Sequence, residues 1–324
     1  MISFMLLYSC LTFFLFFLPQ YYMHSTKQYP WYLTALIGWV YALIGLNIQH
    51  DANHGSVSRN PLVNRFLGLS QNWIGGSALS WIHQHVVQHH IHTNDVHIDP
   101  DMEGNDLVRI NPYAPRRVFH LFQHVYLFIL ICGFGVITVF SSLVNLFKGK
   151  MKTDMSDMVV NYRIFEFGAT SLFFIRWFII PCVQTQSLSV LWSIAPMYAT
   201  AGAYLAFFFV ISHNFVGVHI FDKTTTNKEK ESFLYSQVAS SSNVCGGWLA
   251  VINGGLNYQI EHHLFPRMSH THYHKIAPIV REFCEKKKIP YVHFPTISEN
   301  MFSCVDHLYK MGHEDMPVKF GKQE

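Results

Sequence analysis

The sequence predicts an all-α integral membrane protein with four transmembrane helices, one interfacial or re-entrant hairpin and a helical cytosolic cap. Three observations lead there. Half of the 324 residues are hydrophobic and only 13% are charged, against about a quarter charged in soluble domains. Five apolar stretches approach the length of a bilayer span. The 21 histidines are not scattered but gather in polar segments beside the apolar ones. A formal net charge of +3 is too small to imply a nucleic-acid partner. Cys10, Cys132, Cys182, Cys245, Cys284 and Cys304 are widely spaced and form no CxxC pair. That excludes a disulfide framework or a zinc ribbon and fits reduced thiols. No repeat or low-complexity linker divides the chain, so residues 1–324 read as one domain.

In chain order, the first stretch is 3–19, "SFMLLYSCLTFFLFFLP". It lacks a basic n-region and an A-x-A cleavage site, so a retained anchor is expected rather than a cleaved signal peptide. Further spans are expected over 31–48, 164–182 and 188–212. The stretch 125–147 is expected to differ. If the histidine clusters meet at one site, the segments carrying them end in one compartment, yet an odd number of apolar stretches separates His90 from His213. One of these does not cross. Arg116 and Arg117 precede 125–147, and Lys148, Lys150 and Lys152 follow it, which puts both its ends in the cytosol. Gly133 and Gly135 sit at its middle, where a re-entrant turn needs them. The uncharged linker "VQTQSLSV" suits a short lumenal turn. Glu166 and Arg176 fall inside the span expected over 164–182 and are expected to pair or to line a cavity. Residues 214–242 and 266–324 are polar enough to be cytosolic.

The chemistry lies in three clusters. "QHDANHG" holds His50 and His54, "QHVVQHHIHTN" holds His85, His89 and His90, and "NYQIEHHLFP" holds Gln259, His262 and His263. Residues three and four apart share a helix face, so each cluster offers a small convergent face of neutral donors. Imidazoles without thiolates suit Fe, Zn, Cu or Ni. The H-E-x-x-H of zinc proteases is absent, as is the Glu-x-x-His pair of carboxylate di-iron bundles. Seven or more histidines exceed the needs of one ion, which implies two metals. Two irons can activate dioxygen, and a metal site at the mouth of a membrane domain can meet a lipid chain, so oxidation of an unactivated C–H bond is the expected reaction. Ligating imidazoles usually donate their second N–H to a carboxylate or carbonyl; Asp51, Asp99, Asp101 and Glu261 are placed to accept.

The order HxxxH, HxxxHH, QxxHH resembles the membrane fatty acid desaturases. The glutamine opening the third box, in "GGLNYQIEHHLFPRM", resembles the front-end members in particular. The stretches "IGLNIQHDANHG", "NRFLGLSQNWIGG" and "HNF" extend the likeness, which covers about residues 35–291. The resemblance implies a mushroom-shaped helical fold with a non-haem di-iron centre in the cytosolic cap and O2 as co-substrate. It implies His50, His54, His85, His89, His90, His262 and His263 as ligands. Related acyl-CoA desaturases add a histidine from the last span, here His213, and a water-bridged asparagine, here Asn214 or Asn257. They carry histidine where this chain has Gln259, whose amide oxygen would ligate directly or through water. The implied activity places a cis double bond on the carboxyl side of an existing one in a polyunsaturated acyl chain, with delta-5 preferred to delta-6, delta-8 or delta-4.

Many front-end members begin with a fused cytochrome b5 domain marked by HPGG. This chain has no HPGG and no room for that domain before Trp31, so a separate cytochrome b5 or ferredoxin is the expected donor, or the sequence is an incomplete gene product. The substrate is expected as acyl-CoA or acyl-phospholipid, and residence in the endoplasmic reticulum, with the site facing the cytosol, follows from the family. The rival readings are a sphingolipid desaturase or lipid hydroxylase on the same scaffold and, from another class, a histidine-rich transporter or metal-handling protein. The last would place ionisable residues within the spans, whereas these histidines sit at span ends. His83, His92 and His97 are expected to be supporting or solvated, and "SHTHYH" (270, 272, 274) structural. Trp73, Trp81 and Trp248 would line an interface or an acyl tunnel, and "KEKE" (228–231) a solvated face.

Overall fold

Helices account for nearly all the regular structure. The computed structural model describes residues 2–102, 107–148, 157–221 and 232–314; Lys150, Lys152 and the "KEKE" run lie outside them. One unit comprises residues 1–83, 130–207 and 252–254, the other 84–129, 208–251 and 255–324.

The first unit carries most of the apolar sequence. The expected anchor lies within the helix Ile2–Thr26. The helix Trp31–Asn53 starts after Pro30, whose ring-fixed φ of −67° suits a helix entry. This helix is buried throughout residues 40–49, as an element apolar on every side must be. Gly38 lets it touch the helix Val190–His213, because a Cβ there would lie 2.1 Å from Met197 O. Its winding loosens to i→i+5 over Gly45–Gln49, and the same happens over Ile175–Ile179. Such π turns concentrate at functional sites.

The hairpin expected over 125–147 does not form. Gln123–Lys148 is one unbroken helix of 26 residues. It contains no proline and no residue of positive φ. Gly135 serves packing rather than turning: its Cβ would stand 2.5 Å from Tyr198 O, and a Cβ on Gly202 would stand 2.4 Å from Gly135 N. Among the described residues four helices are long and apolar enough to cross a membrane, Trp31–Asn53, Val118–Lys148, Val160–Thr185 and Val190–His213. The number agrees with the sequence reading, but the set differs: 118–148 is one of the four and the expected span 3–19 is not.

Glu166 and Arg176 do not pair with each other. The fully buried Glu166 carboxylate accepts from Arg65 Nη2 at 3.0 Å, Asn72 Nδ2 at 2.9 Å and Ser77 Oγ at 2.8 Å. The Arg176 guanidinium stacks 3.7 Å from the centre of the Trp73 ring and donates to Tyr41 Oη at 2.9 Å. Each charge inside an apolar unit thus has polar or aromatic partners, which its desolvation demands.

The second unit is held by short elements and side-chain ties. Strands Ser242–Val244 and Val292–Phe294 pair in parallel, with Asn243 opposite His293. The helix Ile297–His313 opens on a capping box between Thr296 and Glu299. Its last carbonyls, which lack partners within a helix, are taken by arginines: Arg109 Nη1 donates to Met311 O, and Arg116 Nη1 to His313 O at 2.5 Å. Gln123 Nε2 donates to Leu308 O at 2.7 Å.

Candidate metal centre

The first box lies in the first unit. Past the π turn at Gly45–Gln49, His54 N donates to His50 O at 3.0 Å, so the two side chains share a face and their ring centroids are 4.7 Å apart. Trp81 packs edgewise against both, at 5.5 Å and 5.4 Å. Asp51 stands 4.0 Å from His50 Nδ1, beyond hydrogen-bond reach. Gly55, at φ +74°, turns the chain away after the box.

The second unit holds the other two boxes. Box two ends the π-helix Ile82–His89, in which His90 N donates five residues back to His85 O at 3.0 Å. The wider turn sets His89 and His90 on either side of His85, with ring centroids 5.3 Å and 4.8 Å from it. Box three is the short helix Gln259–Leu264. Gly255 leads into it at φ +78°, where a Cβ would collide with that of His270 at 2.4 Å; His270 is buried there as packing.

The imidazoles of these boxes converge through one edge. His90 Nε2 lies 3.3 Å from His85 Nε2 and 3.0 Å from His262 Nε2. Two nitrogens bound about 2.1 Å from one ion stand about 3 Å apart at right angles, so these spacings suit a shared metal. The donor atoms of His89, His213 and His263 lie within 4.8 Å of one another, and so do those of His85, His89 and Asp101. Gln259 closes the first of these groups, with Nε2 at 2.8 Å from His213 Nε2 and 3.2 Å from His263 Nε2. Its Oε1 is buried with no hydrogen-bond partner among the described residues, an orphaned acceptor that a cation would satisfy. Which amide atom faces inward is an assignment that a bound cation would reverse.

Opposite edges of the rings are held by the fold. His89 Nδ1 lies 3.0 Å from the Asp99 carboxylate, which is fully buried and also accepts from Asn94 N at 2.8 Å and Asp101 N at 2.9 Å. Burial would push the His89 imidazole down, but the charges of Asp99 and Asp101 outweigh it and raise it to about 9. His213 Nδ1 lies 3.0 Å from Ser240 O and His262 Nδ1 3.3 Å from Tyr273 Oη. With each Nδ1 engaged, each Nε2 is left for the centre.

Other expected supports turn elsewhere. Glu261 accepts from Asn243 Nδ2 at 2.7 Å and Tyr291 Oη at 2.9 Å. Burial pushes its carboxyl up to about 7 against the pull of those two bonds, and its role there is to pin box three to the strand Ser242–Val244. Asn214 Nδ2 bonds back to Val210 O at 3.0 Å. Asn257 Nδ2 donates to Gly246 O at 2.9 Å, while its Oδ1 is buried without a hydrogen-bond partner among the described residues. Tyr273, Ser240, Thr93 and Gln237 carry no sequence motif, and no signal in the sequence marks them.

A family model for fatty acid desaturase matches residues 26–295. An acyl-lipid (7-3)-desaturase of Diacronema lutheri is 40% identical over 90% of this chain, and one of Rebecca salina 42% identical over 86%. A chloroplastic acyl-lipid (7-3)-desaturase of Chlamydomonas reinhardtii is 32% identical, also over 86%. The chain spans 66%, 63% and 55% of their respective lengths. The family match runs through all three histidine boxes and the helices that carry them, and on that ground this chain belongs to the fatty acid desaturase family.

Proposed function

We propose that this chain is an O2-dependent acyl desaturase that places a cis double bond on the carboxyl side of an existing one in a polyunsaturated chain. The observation that carries the reading is the inward convergence of Nε2 atoms whose Nδ1 partners are fixed behind them. Donor chemistry fits iron: imidazoles and one amide, with no thiolate. When bound, a pair of non-haem irons supplies the oxidising power that an unactivated methylene requires. In the overall balance two C–H bonds break, a C=C bond forms, and O2 leaves as two waters after taking those hydrogens, two donor electrons and two protons.

His89, His213 and His263 with Gln259 form one proposed ligand group, and His85, His90 and His262 another. His50 and His54 keep the ligand role that the family resemblance gives them. Asp99 orients His89 and holds the Nδ1 proton, so Nε2 is delivered without a rotameric search. The protein's remaining work is to position a bent acyl chain, which sets regiochemistry through geometry. We favour the (7-3) type borne in the names of the relatives at 40% and 42% identity over the delta-5 position, and their acyl-lipid names favour a lipid-bound substrate over acyl-CoA. The proposed donor is a separate cytochrome b5 or ferredoxin, and the proposed seat the endoplasmic reticulum. With Gln123–Lys148 unbroken, the basic residues Arg116, Arg117 and Lys148 flank opposite ends of one helix and select no side, so cytosolic placement of the centre is carried by the family resemblance.

The test is expression in yeast fed single polyunsaturated acids, with new fatty acids located by gas chromatography and mass spectrometry. A new double bond on the carboxyl side of an existing one supports the reading and fixes the position. A product that gains oxygen instead refutes desaturation. No product with or without co-expressed cytochrome b5 refutes the proposed substrate.

A further inference from the structure

One buried amide beside the centre has no part in the account so far. Gln237 lies on the helix Phe233–Ala239, whose N-cap Ser232 accepts from Tyr235 N at 3.2 Å, and it is fully buried. Its Oε1 stands 3.0 Å from His263 Nδ1 and 3.2 Å from Thr93 Oγ1. Its Nε2 is buried with no hydrogen-bond partner among the described residues. Burying an idle N–H costs free energy, and in this placement the amide acts through its oxygen alone.

Thr93 points the same way. Its Oγ1 lies 2.9 Å from His89 O, 3.2 Å from Gln237 Oε1 and 3.1 Å from His263 Nδ1. A hydroxyl has one proton, and either carbonyl-type oxygen can take it. With that proton on a carbonyl-type oxygen, Oγ1 is an acceptor toward the ring. In this arrangement His263 Nδ1 faces two oxygens and carries the hydrogen, which leaves the lone pair on Nε2. That atom lies 3.2 Å from Gln259 Nε2, which stands 2.8 Å from His213 Nε2.

We propose that Gln237, backed by Thr93, is a positioning residue: it fixes His263 in the Nδ1–H tautomer and so sets the affinity of the ion that His263 would hold. The three rings of this group are then oriented by three different acceptors, a carboxylate for His89, a main-chain carbonyl for His213 and a neutral amide for His263. Thr93 also ties the backbone of box two to a ring of box three, so the two boxes cannot shift independently. The inference rests on the iron reading above.

The experiment compares purified wild type, Gln237→Leu, Gln237→Glu and Thr93→Val after anaerobic loading with Fe(II). It reads iron per chain, affinity against a competing chelator, and the Mössbauer spectrum. Outer-shell partners are worth about 10–100-fold in metal affinity. Wild type is expected to hold two irons; Gln237→Leu is expected to bind one of them about 10–100-fold more weakly, with one quadrupole doublet lost. Gln237→Glu keeps an acceptor and is expected to retain both irons at a lower reduction potential. If Gln237→Leu does not fold, Thr93→Val decides, with a several-fold loss confined to the same ion as the expected result. Wild-type affinity in Gln237→Leu, equal loss in the Leu and Glu variants, or no change in Thr93→Val overturns the role of Gln237 while leaving the centre intact. A wild-type protein that takes up no iron overturns the centre, and this role with it.

Discussion

Replacing Glu166 by alanine should destabilise the first unit by about 3 kcal/mol. The side chain is fully buried and its Arg65 partner is about a third exposed, so the ion pair itself adds only about 0.5–1 kcal/mol. The larger cost comes from the buried donors left behind. Asn72 Nδ2 retains a 3.3 Å contact with Thr170 Oγ1, but the Ser77 hydroxyl loses its 2.8 Å acceptor, and an orphaned buried donor costs about 1–3 kcal/mol. Glu166→Gln does not escape, because its amide must turn an N–H toward either Arg65 or the Asn72–Ser77 pair. The assay is thermal unfolding in a fixed detergent at a fixed scan rate, read through the thiol of Cys182. At about 2–4 °C per kcal/mol, both variants should unfold about 6–12 °C below wild type. Ile164→Ala, at an exposed neighbour on the same helix, should move the midpoint far less. A Glu166→Ala midpoint no lower than that of Ile164→Ala would refute the reasoning.

Other expectations are as direct. His89→Ala or His263→Ala should abolish desaturation and lower iron content while the protein stays in the membrane fraction, and retained activity in either counts against the ligand groups. Gly133 meets nothing within 4 Å, so Gly133→Ala should stabilise an unbroken helix by about 0.5–1 kcal/mol, whereas Gly135→Ala should cost about 1–3 kcal/mol through its clash with the 190–213 helix; the reverse order would restore the hairpin. Burial pushes the His307 imidazole down to about 4 despite its hydrogen bond to Ile110 O. Its folded form resists protonation more than its unfolded form, so the contribution is complete above about pH 6.5 and fades as pH falls toward 4. Between about pH 8 and about pH 5 this amounts to about 2 kcal/mol, which His307→Gln should remove from the difference between urea midpoints at the two pH values.

The histidine boxes were legible because ligand spacing on a helix is a local property: His85, His89 and His90 reach one site through the winding of the segment that holds them. Span lengths were legible for the same reason, since 31–48 and 164–182 fall within observed helices and 188–212 does so from Val190 onward. What sequence could not decide was the partner of a residue whose chemistry allows several. Gly135 reads alike as a turn or as a close contact, and only the carbonyl of Tyr198 beside it settles which. Glu166 and Arg176 stand ten residues apart and invite pairing, yet each is satisfied by side chains more than ninety positions away in sequence, such as Arg65 and Trp73. Glu261 adjoins two box histidines but answers to Asn243 and Tyr291. Gln237 and Thr93 had no motif to announce them, because an acceptor for an imidazole N–H can come from any residue with an oxygen.

The π turn of box two has a consequence for how the boxes are spelled. His85, His89 and His90 follow the spacing i, i+4, i+5 on a helix that closes i→i+5. Gln259, His262 and His263 follow i, i+3, i+4 on an α-helix. One residue more in the spacing and one more in the hydrogen-bonded turn cancel, so both segments present a first donor flanked by the two that come after it. The unlike motifs HxxxHH and QxxHH are thus one arrangement on two windings. Deleting a single residue between His85 and His89 would preserve that arrangement only if the segment rewound as an α-helix, and inserting one before His262 would demand the opposite change. In this protein a residue count, with no side chain of its own, carries part of the specification of the centre.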